Sequence, residues 1–244
     1  RSLALTGSPA WIPGKLGYAL DFDGAATFGV SSTLVPWRDS AANNQFSVSL
    51  WFRTTLGRGF LFQTANSNIA GAATYDAELA WHDSSGKLSF EVTTTGAVRT
   101  IIQAPSAYTD GAWHFATAVL NTAGMYLYID GAQAASGTGV NSTTARVYAG
   151  PTYFWLGAAS TEGATLGGGV YRFFPGDIDE ALVSTVALTA AQALELYTLN
   201  NTRGVGLGAP NVEISTASGA DLSWTRVSTT AISITGAAGT TAAQ

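Results

Sequence analysis

The sequence predicts an all-β protein: a two-sheet antiparallel sandwich carrying a short C-terminal β extension. Three observations predict it. Apolar and polar residues alternate over short runs, which is the period of a half-buried strand. Gly, Asn, Asp and Ser separate those runs at close intervals, as turns between many short strands require. A helical period is confined to Thr189–Asn200, where Ala190, Ala191, Ala193, Leu194 and Leu196 spread over successive turns.

Phe46–Arg53 alternates, with Phe46, Val48, Leu50 and Phe52 on one face and Ser47, Ser49, Trp51 and Arg53 on the other. Leu88–Val92 repeats the pattern with Leu88, Phe90 and Val92 inward. Trp113–Leu120 is apolar on both faces, as a central strand is. Met125–Asp130 alternates again and runs into Asp130-Gly131, a hairpin turn signal. Tyr153–Gly157 and Ile178–Val183 complete the set, and Gly167-Gly168-Gly169 reads as a hairpin tip.

The glycine-rich stretch of residues 201–210 reads as a linker, so residues 1–200 form the main domain and 211–244 the extension. In the extension, Val212–Ile214, Leu222–Val227 and Ala231–Ile234 read as three strands, too few to stand alone. They pack on the main domain or are completed by another subunit.

Charged residues are 11% and hydrophobic residues 46% of the 244, so the chain folds but presents a weakly charged surface. Net charge is −5 with two lysines, Lys15 and Lys87, which excludes the basic stripe that nucleic acid or anionic lipid needs. No apolar run is long enough for membrane insertion. The absence of cysteine removes thiolate metal sites and thiol nucleophiles.

Four segments, in order, resemble the laminin G-like branch of the concanavalin A-like lectin/glucanase superfamily. They are Gly14-Lys15-Leu16-Gly17-Tyr18-Ala19-Leu20-Asp21-Phe22-Asp23-Gly24 and Phe46-Ser47-Val48-Ser49-Leu50-Trp51-Phe52. Next come Asp110-Gly111-Ala112-Trp113-His114-Phe115-Ala116 with Met125-Tyr126-Leu127-Tyr128-Ile129-Asp130-Gly131, then Gly176-Asp177-Ile178-Asp179-Glu180-Ala181-Leu182-Val183. The resemblance implies a jelly-roll sandwich. Members carry an earlier strand before the first segment, and here only Arg1–Ile12 precede it, which leaves an expected open sheet edge.

The resemblance also implies that first and last strands lie side by side, with a structural calcium ion (Ca2+) held at their edge by Asp23 and Asp179. For glycans, an aromatic platform with polar neighbours is the expected chemistry. Trp51 and Arg53, joined by Tyr126 and Tyr128, are expected to point out of the concave sheet and supply it. Catalysis is not expected. The hydrolases of the superfamily use a carboxylate run that only Asp177-Ile178-Asp179-Glu180 approaches here, on the closing strand, and strands expected to line the concave face carry no paired carboxylates. His82 and His114 are the only histidines.

Two roles fit. One is a non-catalytic recognition module, extracellular or on a surface, that binds glycans or glycosylated proteins. The other is a structural component of a virus or phage particle or a surface layer, its partners being copies of itself or other particle proteins held through the extension.

Overall fold

A computed structural model describes residues 3–31, 44–69, 75–147, 152–160, 164–166, 169–202, 223–228 and 231–235. Two seven-stranded antiparallel sheets face each other, as expected. The strands in chain order are β1 (Leu3–Thr6), β2 (Ala10–Pro13), β3 (Tyr18–Asp23), β4 (Phe28–Ser31), β5 (Phe46–Arg53) and β6 (Phe60–Ala65). They continue with β7 (Tyr75–Ala80), β8 (Lys87–Thr93), β9 (Arg99–Ala107), β10 (His114–Leu120), β11 (Met125–Ile129), β12 (Ala132–Gly137) and β13 (Tyr153–Leu156). After the hairpin β14 (Ala164–Leu166) and β15 (Gly169–Tyr171) come β16 (Pro175–Ser184), helix α1 (Ala190–Thr202), β17 (Ser223–Ser228) and β18 (Ala231–Thr235).

The front sheet runs β1-β4-β13-β6-β7-β8-β9, and the back sheet runs β12-β11-β10-β5-β16-β3-β2. Between them Phe46, Val48, Leu50 and Phe52 meet Phe62, Leu79, Phe90 and Phe154 in one buried cluster, the face that alternation assigns inward. The stretch before the first family segment is not bare. It supplies β1, paired with β4 at one edge of the front sheet, and β2, paired with β3 at one edge of the back sheet. β3 and β16 do lie side by side, with Asp21 opposite Asp177.

α1 begins with a reciprocal cap. The Thr189 N–H donates to Gln192 Oε1 at 2.9 Å, and the Gln192 N–H donates to Thr189 Oγ1 at 3.3 Å, which satisfies two of the donors a helix start leaves open. The helix seals the outer face of the back sheet: Ala193 is buried against Val119 and Tyr128. In the extension, β17 and β18 pair with each other in a two-stranded sheet. The expected strand over 212–214 lies outside the described residues, as does the linker over 203–210.

Candidate functional site

Strand register builds the site on the outer face of the front sheet. Trp155 on β13 stands opposite Val30 on one side and Gln63 on the other. Gln63 stands opposite Glu78, Glu78 opposite Glu91, and Glu91 opposite Ile101. Directly opposed residues share a face, and their neighbours Leu156, Phe62, Leu79, Phe90 and Ile102 fill the core. The row therefore points away from the core and crosses six strands, roughly 24 Å at the usual inter-strand spacing.

One end of the row is aromatic. The Phe28 and Trp155 rings stack at 5.1 Å, Phe173 lies 6.2 Å from Phe28, and the Arg172 guanidinium sits 5.7 Å from the Trp155 ring and 5.4 Å from that of Phe173. The other end is charged. Arg99 grips Glu91 with two bonds, Nε to Oε1 at 2.5 Å and Nη2 to Oε2 at 2.7 Å, and lies 4.0 Å from Glu78. His82 Nε2 stands 3.5 Å from Glu91 Oε2. A relay of hydrogen bonds joins the two ends. Arg172 donates to the carbonyls of Ala159 and Ser160, the Ser160 N–H donates to Gln63 Oε1 at 2.6 Å, and Gln63 Nε2 donates to Glu78 Oε1 at 2.5 Å. The buried Ser160 hydroxyl has no hydrogen-bond partner among the described residues.

Glu78 and Glu91 are both 0% exposed, whereas the Arg99 side chain is 42% exposed. Burying a carboxylate costs several kcal/mol unless it is paired and hydrogen-bonded, and packing gives no reason to place two of them outside the core. Charges held there point to a working surface. At the rim, Gln103 Nε2 donates to Asp83 Oδ2 at 2.8 Å, and Ile101 is exposed beside Arg99.

Glu78 and Glu91 thus stand as opposed carboxylates on the front sheet, whereas the expectation of no paired carboxylates concerned the sheet that carries Trp51 and Arg53, which is the back one. Glu91 is legible, because the alternation over Leu88–Val92 already aims it outward. Its pairing with Glu78 needs the β7–β8 register, which no local pattern gives. A general acid or base must reach the atoms it protonates or deprotonates, and neither carboxylate reaches solvent. The arrangement suits orienting a bound molecule rather than cleaving it.

The residues expected to bind glycan are placed differently. Trp51 does face out of the back sheet, but it is 1% exposed. Tyr197 of α1 lies 5.8 Å from its ring, Phe115 5.1 Å, and the Lys15 ammonium 4.6 Å. Its indole N–H is buried without a partner. Tyr128 is buried under the same helix and stacks on the half-buried Tyr126 at 6.5 Å. The signal missed was the helix itself, whose landing place the sequence does not specify. Arg53 lies apart from this sealed patch: its Nε donates to Asp177 Oδ2 at 2.6 Å and its guanidinium sits 4.9 Å from the Trp113 ring. Burial pushes the Asp177 carboxyl up, against the pull of Arg53.

Asp23 and Asp179 are not brought together. Asp23 pairs with Pro175, and Asp179 lies four residues further along β16, about 13 Å away at strand rise. Asp23 Oδ1 accepts the amides of Ala26, Ala25 and Thr27, which hold its carboxyl far below the usual range. Burial pushes the Asp179 carboxyl up, although its oxygens accept the amides of Leu16 at 2.8 Å and Glu180 at 2.8 Å. Each carboxylate shapes its own loop. Laminin G-like domains often bind calcium, but these two oxygen sets do not fit one ion. Glu78, His82 and Glu91 each offer a ligand atom within 4.8 Å of the others. That set includes an imidazole, which calcium does not favour, and Arg99 already occupies both oxygens of Glu91.

Comparison with known proteins agrees with this architecture. A laminin G family model, described as Concanavalin A-like lectin/glucanases superfamily, matches residues 28–193. No curated protein gives a significant match. Domain 4 of the extracellular arabinanase AbnA from Geobacillus stearothermophilus, solved with arabinotriose, is similar at 20% identity and TM-score 0.55, covering 78% of this chain and 82% of that one. The binding domain of Paraclostridial Mosquitocidal Protein 1 is similar at 13% identity and TM-score 0.51, covering 80% of this chain and 47% of that one. The binding domain of botulinum neurotoxin DC in complex with SialylT gives 12%, 0.51, 82% and 47% for the same measures. At such identities the likeness is one of fold. Families of laminin G-like and lectin-like binding domains are generally non-catalytic and typically extracellular, and no described helix of this chain is long and apolar enough to cross a membrane. With 166 consecutive residues (28–193) matched and both sheets in place, the chain belongs to the laminin G-like family of the concanavalin A-like lectin/glucanase superfamily.

Proposed function

We propose that this chain is a non-catalytic glycan-recognition module that works outside a cell or on a particle surface, and that it binds along the outer face of the front sheet. One observation carries this: a single row passes from stacked aromatics to a charged, hydrogen-bonded network. A sugar has apolar faces and a hydroxyl-bearing edge, so it asks for both kinds of surface side by side. The buried Glu91 holds the exposed Arg99 at one end, and the buried Gln63 holds the half-buried Arg172 through Ser160 at the other. Exposed Asp83 and half-buried Gln103 and Phe173 complete the rim. That a domain of similar fold was solved with arabinotriose supports the ligand class.

The test is retention on a glycan array. Phe173→Ala and Gln103→Ala are expected to lose retention while keeping the wild-type melting curve. Arg53→Ala and Tyr126→Ala probe the back sheet, where Arg53 over Trp113 is the part of the other candidate surface that α1 leaves open. If those two variants lose binding and the front-sheet variants keep it, the site moves to the back sheet.

A second reading, a structural component of a particle or surface layer, is supported by the hairpin β17–β18, which forms a sheet of its own. Light scattering at two concentrations tests it: a fixed oligomer that dissociates when residues 205–244 are deleted favours assembly, and a monomer removes that support.

A further inference from the structure

We propose that the front-sheet strip takes a neutral oligosaccharide and turns away glycans bearing carboxylate or sulfate; the inference rests on the strip being the glycan site.

The argument starts from what an anion needs. Carboxylates and sulfates are read by a guanidinium edge that offers two parallel N–H donors, or by an ammonium not already matched. Along the strip, both guanidinium edges that include Nε are engaged. Arg99 spends Nε and Nη2 on the two oxygens of Glu91. Arg172 spends Nε and Nη2 on the carbonyls of Ala159 and Ser160. The hydrogen bonds from Gln103 and Ser85 hold the Asp83 carboxyl below its usual range, which keeps the rim carboxylate charged.

Fixed negative charge completes the case. Glu78 and Glu91 lie opposed in the buried floor, and Asp83 stands at the rim beside Gln103. An incoming anion is repelled by Glu78 and Glu91 through the floor, without touching them, and by Asp83 directly at the rim. A hydroxyl meets no such penalty, since it can donate to a carboxylate or accept from Gln103.

The test is an array of matched glycans, each core presented neutral, sialylated and sulfated. Neutral forms are expected to be retained at least about tenfold better than their anionic partners, as like-charge contacts impose. Equal or better retention of the anionic forms overturns the charge class and leaves glycan binding standing. A blank array overturns the reading of the strip and this inference with it. Glu91→Gln removes one floor charge and loosens the Arg99 edge, so it is expected to narrow the neutral preference about threefold or more. A folded Glu91→Gln protein with unchanged selectivity overturns the role given to that carboxylate. Melting curves are read first; if Glu91→Gln does not fold, Asp83→Asn at the exposed rim serves for the same comparison, with the same two outcomes.

Discussion

The two outer faces of the sandwich differ more than their sequences do. Both are written in the same alternating pattern. On the back sheet the outward residues of β5, β10 and β11 include Trp51, Phe115, Val119 and Tyr128, and α1 lies across them with Ala193 and Tyr197. On the front sheet the outward residues include Gln63, hydrogen-bonded to Glu78 and Ser160, and Glu91, hydrogen-bonded to Arg99. An apolar outward row invites a cover, because sealing it removes area from water at about 25 cal/mol per Å². A charged row is stable only inside its own network and must keep its partners near. Outward aromatics on a strand thus mark a second packing layer, and outward buried charges mark the face proposed as the binding surface.

That contrast fails first if Trp51 behaves as a ligand platform. Trp51→Ala is expected to cost about 3–5 kcal/mol, the range for a fully buried large aromatic, with loss of fold in place of a selective loss of binding. Thermal or urea melts measure it. A variant that melts like the wild type yet loses glycan retention would return the site to the back sheet.

On the other face, Arg99→Met leaves Glu91 and Glu78 buried without their cation. Breaking a buried pair from one side costs roughly 3 kcal/mol. The double variant Arg99→Met with Glu91→Leu removes both charges, and it is expected to recover more than half of that loss. Urea unfolding of the wild type, Arg99→Met, Glu91→Leu and the double variant closes the cycle. No recovery in the double variant would mean that the residues act through packing alone.

Much of this was legible in the sequence, though unevenly. The strands β5, β8 and β11 follow from alternation, because one face of each is the core and the period of two shows it, and β10 follows from a run apolar on both faces. The helix follows from the spread of Ala190, Ala191, Ala193, Leu194 and Leu196 over successive turns. The placement of that helix does not, since any apolar face could receive it, and so Trp51 and Tyr128 looked open. Glu78 and Glu91 stand thirteen positions apart in the chain and meet only through register. Asp23 and Asp179 came close for the right reason, their strands being neighbours, but the ladder offsets them by four rungs.

A smaller effect separates the two ends of the back sheet. His114 bridges Asp130 through Nδ1 at 2.8 Å and Asp110 through Nε2 at 3.1 Å. The hydrogen bond to Asp130 raises its pKa above the ordinary 6.5, although burial pulls the other way. A raised folded-state value means that the imidazolium's stabilising contribution is fully present below about pH 6.5 and is lost as pH rises through the folded value. The melting temperature is therefore expected to fall as pH rises above about 6.5 through the folded value, and to fall less in His114→Gln. Parallel pH profiles for the two proteins would remove His114 from the account.

The smallest expected effect is none. A chelator should leave the melting curve where it was, because the two carboxylates that lie on neighbouring strands are each committed to backbone amides about 13 Å apart. An ion bound only to the native state would raise stability by RT ln(1 + [L]/Kd), several degrees at saturating calcium, so the measurement has room to contradict this. If the curves separate, Asp23→Asn and Glu91→Gln divide the explanations. A shift abolished by Asp23→Asn places the ion at the β3–β16 edge, where the Asp23 loop would have to release its amides. A shift abolished by Glu91→Gln places it on the front sheet. There the ion and Arg99 compete for the same two oxygens, and the charged half of the strip would then be a metal site that arginine holds shut.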